Sequence, residues 1–254
     1  MLSKRQTFYK NFRKFGYFDH NTNDLKTIEK EVPGAIGEFQ ALNCFWGLWM
    51  AQNQNALILY DTIFKHFIRQ ESNDRSGWDK DPKTIDPNIP NKIGRIIEIG
   101  SQFGGLSVLF HIFSIMYGCD FYTYDIEDPW IKEEMDKLNL EHRKIDVFKD
   151  EERLGTEISS SGSTILLCDG GNKIKEFNTF SKYLKSGDII LAHDYAPDHQ
   201  YAHEHMKNNI WSFTEITYAD IEHSVEENNL EPFMFDLALS AATACFMKKE
   251  EKSV

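Results

Sequence analysis

The chain has few cysteines and no long apolar run. Its four cysteines are scattered without CxxC spacing, and Cys119, Cys168 and Cys245 lie in or beside apolar segments. This pattern favours buried free thiols in a reducing compartment over disulfide bonds. No segment approaches the roughly 20 apolar residues of a membrane helix. The N-terminus is basic and aromatic but lacks the continuous apolar core of a secretory signal, so we expect a cytoplasmic protein.

Positive charge is also scarce. The 254 residues include 28 Lys and Arg against 40 Asp and Glu, which gives a net charge of −12. This balance argues against nucleic acid or an anionic membrane as the main partner. The hydrophobic fraction of 41% fits a globular protein, and the length suits one large α/β domain or two small ones.

The segment Arg95–Phe110, RIIEIGSQFGGLSVLF, predicts a strand, a tight turn and a helix. An apolar run ends at Ile99, glycines bracket the turn from Gly100 to Gly105, and an apolar helical pattern follows. In open α/β sheets such a turn lies at the carboxyl end of a strand, where small ligands bind. The helix that it opens presents unpaired backbone N–H groups there. We therefore expect the turn to line a ligand site.

Further along the chain, short apolar runs also end in acidic residues. These acids are Asp125, Asp146, Asp169 and Asp194, the last preceded by His193. Because helical patterns separate the runs, the alternation predicts a parallel, doubly wound sheet with ligands along its carboxyl edge. Asp125 lies twenty residues past Gly105. In a βαβ unit, an acid at about that distance binds the ribose hydroxyls of a nucleotide.

The region before the central strand predicts a helical extension. In Phe39–Arg69, apolar residues at helical spacing indicate two helices, and Phe45, Leu48 and Trp49 share a face of the first. Residues 71–94 carry three prolines and many charges, which is typical of a connector. We therefore divide the chain into an N-terminal helical extension and connector, residues 1–92, and a sheet domain, residues 93–254.

The glycine turn reads GxxxGG rather than GxGxxG. In a dinucleotide-binding fold the second glycine of GxGxxG lets the pyrophosphate approach, and Gln102 holds that position here. NAD and FAD are therefore disfavoured. A cofactor with an adenosine but no phosphate would need the ribose acid and the close turn without that glycine. S-adenosylmethionine is such a molecule.

The order of these motifs resembles that of class I S-adenosylmethionine-dependent methyltransferases. EIGSQFGG comes first, and Asp125, Asp146 and Asp169 follow successive strands. The chain looks most like the cephalosporin-hydroxylase-like group and the related metal-dependent sugar O-methyltransferases in the segments WMAQNQNALILYD, IIEIGSQFGGLSVLF, LLCDGGNKIKEF and YLKSGDIILAHDY. The resemblance covers roughly residues 45–250. It implies a Rossmann-like, mostly parallel seven-stranded sheet with helices on both faces.

The resemblance also implies which residues bind the cofactor. The methionine moiety would be lined by Glu98, Gly100, Ser101, Gly104 and Gly105. The ribose and adenine would be bordered by Asp125, Ile126, Asp146 and Val147. Glu98 would lie near the ammonium group, and Asp125 would accept hydrogen bonds from both ribose hydroxyls.

A second group of residues predicts a divalent metal site. Asp169, His193 and Asp194 follow strands expected to be neighbours, and oxygen ligands with open positions suit Mg²⁺. Members of the group that the chain resembles bind a divalent metal through one acidic residue at a first position and an acidic pair at a second position. Here His193 replaces the first acid of that pair, and because histidine is a softer ligand the metal's identity and presence stay open. A bound cation would lower the pKa of a chelated hydroxyl.

The general base is less clear from the sequence. Sugar-modifying relatives carry a histidine three residues after the first metal acid, where this chain has Asn172. Lys173 follows, and catechol-type methyltransferases use a nearby lysine as base. His193 is the other candidate if it is not a ligand. We therefore assign catalytic roles to Asp169, Lys173 and His193.

The histidines near residue 200 have zinc-like spacing. His199 and His203 are four residues apart, but HQYAH lacks the glutamate of HExxH. An exposed polar helix is the favoured interpretation.

These observations together predict an S-adenosylmethionine-dependent O-methyltransferase, assisted by a divalent metal, that acts on a sugar, a polyol or a related small molecule. Two alternatives stay open. A cephalosporin-hydroxylase-type oxidative enzyme is disfavoured, since the chain has no 2-His-1-carboxylate, haem or flavin motif. A non-catalytic, methyltransferase-like partner protein is supported by Asn172. The aromatic N-terminus, with phenylalanines at roughly helical spacing, would suit either a homo-oligomer contact or a core stripe.

Overall fold

The computed structural model describes residues 43–45, 48–50, 52, 54–72, 93–207, 210–211 and 213–250. The first part of the chain holds two short strands and one long helix, β1 Asn43–Phe45, β2 Leu48–Met50 and α1 Gln54–Ser72. Strands and helices then alternate through β3 Ile93–Ile99, α2 Gly105–Tyr117, β4 Asp120–Asp125, α3 Lys132–Lys137, β5 His142–Lys144, α4 Glu151–Ser159, β6 Ser163–Cys168, α5 Lys173–Phe180 and β7 Ile189–His193.

The last part of the described chain has shorter elements. They are β8 Tyr195–Ala196, α6 His199–Tyr201, β9 Ile216–Thr217, α7 Tyr218–Glu227, β10 Leu230–Pro232, α8 Phe235–Ser240 and β11 Thr243–Lys248. A π-helical turn, Ala202–Met206, continues α6.

Seven strands form one sheet in the order β10-β11-β7-β6-β3-β4-β5. The five strands β3 to β7 run parallel, whereas β11 is antiparallel to β7 and β10 is antiparallel to β11. Ile99 at the end of β3 is in register with Tyr124 on one side and Cys168 on the other. The carboxyl ends of these strands therefore meet at one edge, and the predicted doubly wound, mostly parallel sheet is confirmed.

Helices cover both faces of the sheet. Side chains alternate along β3, so Ile96 packs in the core with α1 and α2, and Ile97 packs in the opposite core with α4 and α5. On the first face, Tyr60 and Phe64 of α1 meet the ring of Phe110 edge to face, with centroids 5.0 and 6.3 Å apart. Burying each such side chain contributes about 1.5–3 kcal/mol. Helix α1 therefore belongs to the same core as the sheet.

The sequence prediction of two N-terminal helices is half right. The second helix is α1, but β1 and β2 form an antiparallel hairpin in which Cys44 pairs with Trp49. The predicted helical face of Phe45, Leu48 and Trp49 is therefore wrong. Within only eight residues, apolar spacing fits a helix and a short hairpin equally, and the aromatic residues favour strands.

The structure also bears on membrane crossing and on the state of the cysteines. None of the described helices combines the length and the apolar character that crossing a membrane requires. Cys168 and Cys245 are buried free thiols. The expectation of buried free thiols is confirmed for these two residues.

Gly100, the residue after β3, lies against the backbone of Asp169, the residue after β6. Its φ of 99° lies in the left-handed region, and a Cβ at this position would lie 2.2 Å from the carbonyl oxygen of Asp169. No rotation of a side chain relieves a clash with backbone. A glycine is therefore required here.

We predict that Gly100→Ala lowers the free energy of unfolding by about 2 kcal/mol or more, because it adds both backbone strain and overpacking. Urea denaturation measures this change. Gly171→Ala is the matched control, since a Cβ at Gly171 meets nothing within 4 Å, and it should change stability by less than about 0.5 kcal/mol. Equal effects of the two substitutions would contradict the assigned contact.

Candidate functional site

The glycine turn and the end of β6 are joined by backbone hydrogen bonds. The N–H of Gly100 donates to the carbonyl of Tyr124 at 2.7 Å, and the N–H of Asp169 donates to the carbonyl of Ile99 at 2.8 Å. Pairing thus continues one residue beyond the strands. As a result, Asp169 lies against the turn that opens α2.

Glu98 is a fully buried carboxyl group beneath this turn. Its Oε2 accepts hydrogen bonds from the hydroxyls of Ser107 at 2.5 Å and Thr123 at 2.6 Å. Its Oε1 is buried and has no hydrogen-bond partner among the described residues. Burial raises the pKa of Glu98 from 4.5 to about 8, although the two hydroxyl donors oppose the shift. The carboxyl group of Glu98, which lies below the turn, can therefore gain or lose a proton near neutral pH.

Asp125 contacts the turn from the end of β4. Its Oδ2 accepts from the backbone N–H groups of Ser101 at 2.9 Å and Gln102 at 3.1 Å, and its Oδ1 accepts from Glu127 at 3.1 Å. The next residue, Ile126, leaves 67% of its surface exposed. Asp125 thus lies where the sequence placed it, beside the glycine turn.

Asp146 and Val147 follow the end of β5. The N–H of Ile145 donates to the carbonyl of Asp125 at 2.9 Å, so the two acids follow neighbouring strands. The carboxylate of Asp146 accepts from the N–H of Phe148 at 3.1 Å, and Val147 is buried. The structure thus places the adenine-site candidates next to the ribose-site candidate.

A cleft opens over the turn. Its lining consists of Gln52, Glu98, Gly100, Ser101, Gln102, Phe103, Gly104, Gly105, Leu106 and Asp169. Five of the nine predicted cofactor-binding residues are in this set. Asp169, predicted as a metal ligand, lines the same cleft.

The second predicted group also comes together. Nδ1 of His193 lies 3.3 Å from Oδ1 of Asp169 and 3.4 Å from Oδ1 of Asp194. Neighbouring residues on a regular strand point to opposite faces, but Asp194 follows the end of β7 with a left-handed φ of 60°. That conformation turns its carboxylate back toward His193. The indole N–H of Trp211 donates to Oδ1 of Asp194 at 2.5 Å.

Lys173, in the first turn of α5, reaches the same carboxylates. Its Nζ lies 3.0 Å from Asp194 Oδ2, 3.6 Å from Asp169 Oδ1 and 2.7 Å from Glu215 Oε2. Burial disfavours the charged amine, but Asp169 and Asp194 outweigh burial and raise its pKa well above the ordinary value. Lys173 therefore carries its proton at neutral pH.

Burial and the neighbouring carboxylates also have opposite effects on the pKa of His193. Burial works to lower its pKa, but the carboxylates of Asp169 and Asp194 outweigh burial and raise it above the ordinary value. Its Nε2 is buried, and no hydrogen-bond partner for it lies in the described part of the chain.

The loop between β6 and α5 is held by helix capping. The side chain of Asn172 accepts from the N–H of Lys175 at 3.0 Å and caps α5. Glu176 accepts from the N–H groups of Gly170 at 3.1 Å and Asn172 at 3.2 Å. Burial raises the pKa of Glu176 to about 7. Asn172 thus has a structural role.

The histidines near residue 200 do not join the cluster. His199, His203 and His205 are exposed on α6 and its π-helical turn. Among the described residues, the one group of three or more residues suited to hold a metal ion is Asp169, His193 and Asp194. The predicted exposed polar helix is confirmed.

Comparisons with known proteins extend this description. No protein-family model and no curated protein sequence matches the chain. A solved structure described as "cmcI-D160 Mg-SAM" is similar with a TM-score of 0.50 and 14% identity, covering 82% of this chain and 77% of that one. The fold is a Rossmann-like methyltransferase fold.

Two further solved structures are similar over shorter lengths. An O-methyltransferase family protein from Burkholderia thailandensis has a TM-score of 0.41 and 8% identity, covering 63% of this chain and 52% of that one. A SAM-dependent methyltransferase from Archaeoglobus fulgidus has a TM-score of 0.37 and 9% identity, covering 67% and 69%.

Within the methyltransferase fold, Gln52 is a site residue that the sequence did not predict. Its Nε2 donates to Oδ2 of Asp169 at 2.8 Å, and its Oε1 accepts from the hydroxyl of Tyr60 at 3.0 Å. The contact joins residues 117 positions apart, and no local pattern signals it. The residue before α1 thus supports the first acid of the cluster.

We predict that Gln52→Met lowers the free energy of unfolding by about 1–3 kcal/mol, because it removes polar partners from buried groups. Thermal and urea denaturation measure the loss. Gln200→Met is the control, since Gln200 is exposed, and its effect should stay below about 0.5 kcal/mol. A Gln52→Met protein as stable as the wild type would show that the contact to Asp169 contributes nothing.

The buried Glu98 predicts a pH-dependent stability. Its pKa is raised to about 8 in the folded chain, so its contribution is fully present below the ordinary value of 4.5 and is lost as the pH rises through 8. Between pH 5 and pH 8 the wild type should lose about 2–4 kcal/mol of stability relative to Glu98→Gln, which has no charge to bury. Parallel pH profiles in urea denaturation would contradict this.

Proposed function

We propose that the chain is an S-adenosylmethionine-dependent O-methyltransferase acting on a hydroxyl of a sugar, polyol or related small molecule, with a divalent cation at Asp169, His193 and Asp194. The observation that carries this proposal is the position of Asp169. One carboxylate both lines the glycine-turn cleft and belongs to the cluster suited to a cation. Methyl transfer requires donor and acceptor in close alignment, so the two sites must adjoin.

The cleft offers groups that suit the cofactor. Buried Oε1 of Glu98, which has no partner in the described chain, would accept from the ammonium of the methionine moiety, and that positive charge would favour the ionised form of Glu98. The carboxylate of Asp125 has acceptor capacity beyond its three backbone donors and would hold the ribose hydroxyls. Ile126, exposed beside it, would pack on the adenosine. S-adenosylmethionine supplies the methyl group when bound.

Asp169, His193 and Asp194, which we call the acid–histidine cluster, fit a divalent cation. It offers two carboxylates and an imidazole whose ligand atoms all lie within 4.8 Å of one another. Such an oxygen-rich set suits Mg²⁺ or Mn²⁺. When bound, the cation would lower the pKa of the acceptor hydroxyl and orient its oxygen. The similar structure described as "cmcI-D160 Mg-SAM" names both groups.

A base must take the proton of the acceptor hydroxyl, and the candidates are Lys173 and His193. Which of them can act depends on whether His193 binds the cation. Lys173 cannot accept a proton while it keeps its carboxylate partners. If His193 binds the cation, Lys173 must lose contact with these partners before it can act. If His193 is the base, the cation is left with Asp169 and Asp194.

A second candidate function is a domain that binds the cofactor without transferring its methyl group. The observation in its favour is that Asn172, at the position of the relatives' histidine, caps α5. Such a domain would bind S-adenosylhomocysteine but would methylate no acceptor.

We also propose a cytoplasmic location, which the buried free thiols of Cys168 and Cys245 support. The division of the chain at residue 92 remains a proposal. The suggested homo-oligomer contact lies in the N-terminal segment, outside the described residues.

Calorimetric titration with S-adenosylhomocysteine, with and without Mg²⁺, tests the cofactor assignment. We expect saturable binding of S-adenosylhomocysteine and none of NADH, the control ligand. Asp169→Asn should lower turnover by roughly 100-fold or more while the affinity for S-adenosylhomocysteine stays within about threefold. Absence of binding would reject the proposed function, and unchanged turnover in Asp169→Asn would reject the role of the cluster.

A further inference from the structure

We propose that the ammonium of Lys173 and a divalent cation compete for the same carboxylate oxygens of Asp169 and Asp194. Lys173 then acts as an internal counter-ion, and a cation enters only when the ammonium gives up these contacts. This inference rests on the proposed function, because it concerns the cation of that same site.

Neutral donors already bind one oxygen of each carboxylate. Oδ2 of Asp169 accepts from the amide of Gln52 at 2.8 Å. Oδ1 of Asp194 accepts from the indole of Trp211 at 2.5 Å. The other oxygen of each carboxylate faces the ammonium of Lys173.

The ammonium of Lys173 contacts both of these other oxygens. Its Nζ lies 3.6 Å from Oδ1 of Asp169 and 3.0 Å from Oδ2 of Asp194. Oδ1 of Asp169 is also the oxygen nearest His193 Nδ1 in the cluster, at 3.3 Å. A cation ligated by Asp169 must therefore share or take the oxygen that faces the ammonium.

Lys173 also has a third acidic partner, Glu215, which it can keep when it moves away from the two aspartates. Nζ lies 2.7 Å from Oε2 of Glu215, whose side chain is 56% exposed, whereas the side chain of Lys173 is only 7% exposed. Glu215 thus lies on the solvent side of the ammonium. Displacement toward Glu215 keeps one ion pair and leaves the two aspartates to the cation.

The charges of the site agree with this competition. Asp169, Asp194 and Glu215 carry three negative charges and Lys173 carries one positive charge, so with a neutral imidazole the site has a formal charge of −2. A divalent cation balances that charge. Two cations on the same oxygens nevertheless repel each other, and removal of the ammonium should strengthen binding.

The test measures Mn²⁺ binding by electron paramagnetic resonance of the free ion, without S-adenosylmethionine. We expect Lys173→Met to bind one Mn²⁺ at least tenfold more tightly than the wild type. Lys175→Met is the matched control, because Lys175 lies two residues away and its Nζ contacts the ring of Phe148 at 3.8 Å. Its Mn²⁺ affinity should stay within twofold of the wild type.

Two further variants keep the test decisive. Lys173→Gln is a second neutral replacement if circular dichroism shows that Lys173→Met is unfolded, and it should tighten Mn²⁺ binding in the same way. Lys173→Arg keeps the charge and should bind Mn²⁺ no more tightly than the wild type. If the neutral variants bind Mn²⁺ as weakly as the wild type, or more weakly, the competition is rejected.

The Mn²⁺ measurement distinguishes a failure of this inference from a failure of the proposed function. Tighter Mn²⁺ binding in Lys173→Met supports the competition even if S-adenosylhomocysteine does not bind, which would reject only the methyltransferase assignment. S-adenosylhomocysteine binding with no gain in Mn²⁺ affinity rejects the competition alone.

Discussion

The approach of Gly100 to the backbone of Asp169 is the constraint on which the site depends. Because β3 and β6 are parallel and continue to pair past their ends, the turn after one strand meets the residue after the other. Only a residue without a Cβ allows this spacing. The glycine turn, Glu98 below it and the acid cluster beside it follow from that one contact.

The two ends of the sheet differ in whether their buried polar groups have hydrogen-bond partners. At the amino end of β7, buried Asp188 accepts from the backbone N–H of Thr164 and of Lys185 and pairs with the Lys185 ammonium at 2.8 Å. At the carboxyl end, Glu98 Oε1 and His193 Nε2 have no partner among the described residues. Unsatisfied buried polar atoms cost free energy. Polar groups of a bound ligand would satisfy the two atoms at the carboxyl end.

Local patterns predicted the parts of the site that lie next to one another in the chain or end a strand. The turn from Gly100 to Gly105 and the acid Asp125 could be placed because the carboxyl ends of parallel strands share an edge. Gln52 could not be placed, since its contact with Asp169 depends on how α1 packs against the sheet. The hairpin of β1 and β2 was missed because three-residue strands are shorter than the window over which periodicity is decisive.

The environment of Lys173 also lay beyond sequence reasoning. The sequence placed a lysine near the first acid and suggested a base, but its protonation depends on Asp194 and Glu215, which come from later elements. Similarly, α8 and β10 have six and three residues, too few for a clear pattern. Interactions between distant segments could not be predicted from the sequence, because the fold determines which side chains are buried and which charges lie close together.

Trp211 gives the molecule an internal optical probe. Its indole N–H donates to Asp194, and its ring lies 4.9 Å from the ring of His193 at 64°. Indole emission depends on the charges and hydrogen bonds around the ring, so any change of charge at Asp194 or His193 alters the spectrum of this one of five tryptophans. The acid–histidine cluster can therefore be observed by fluorescence in the unlabelled protein.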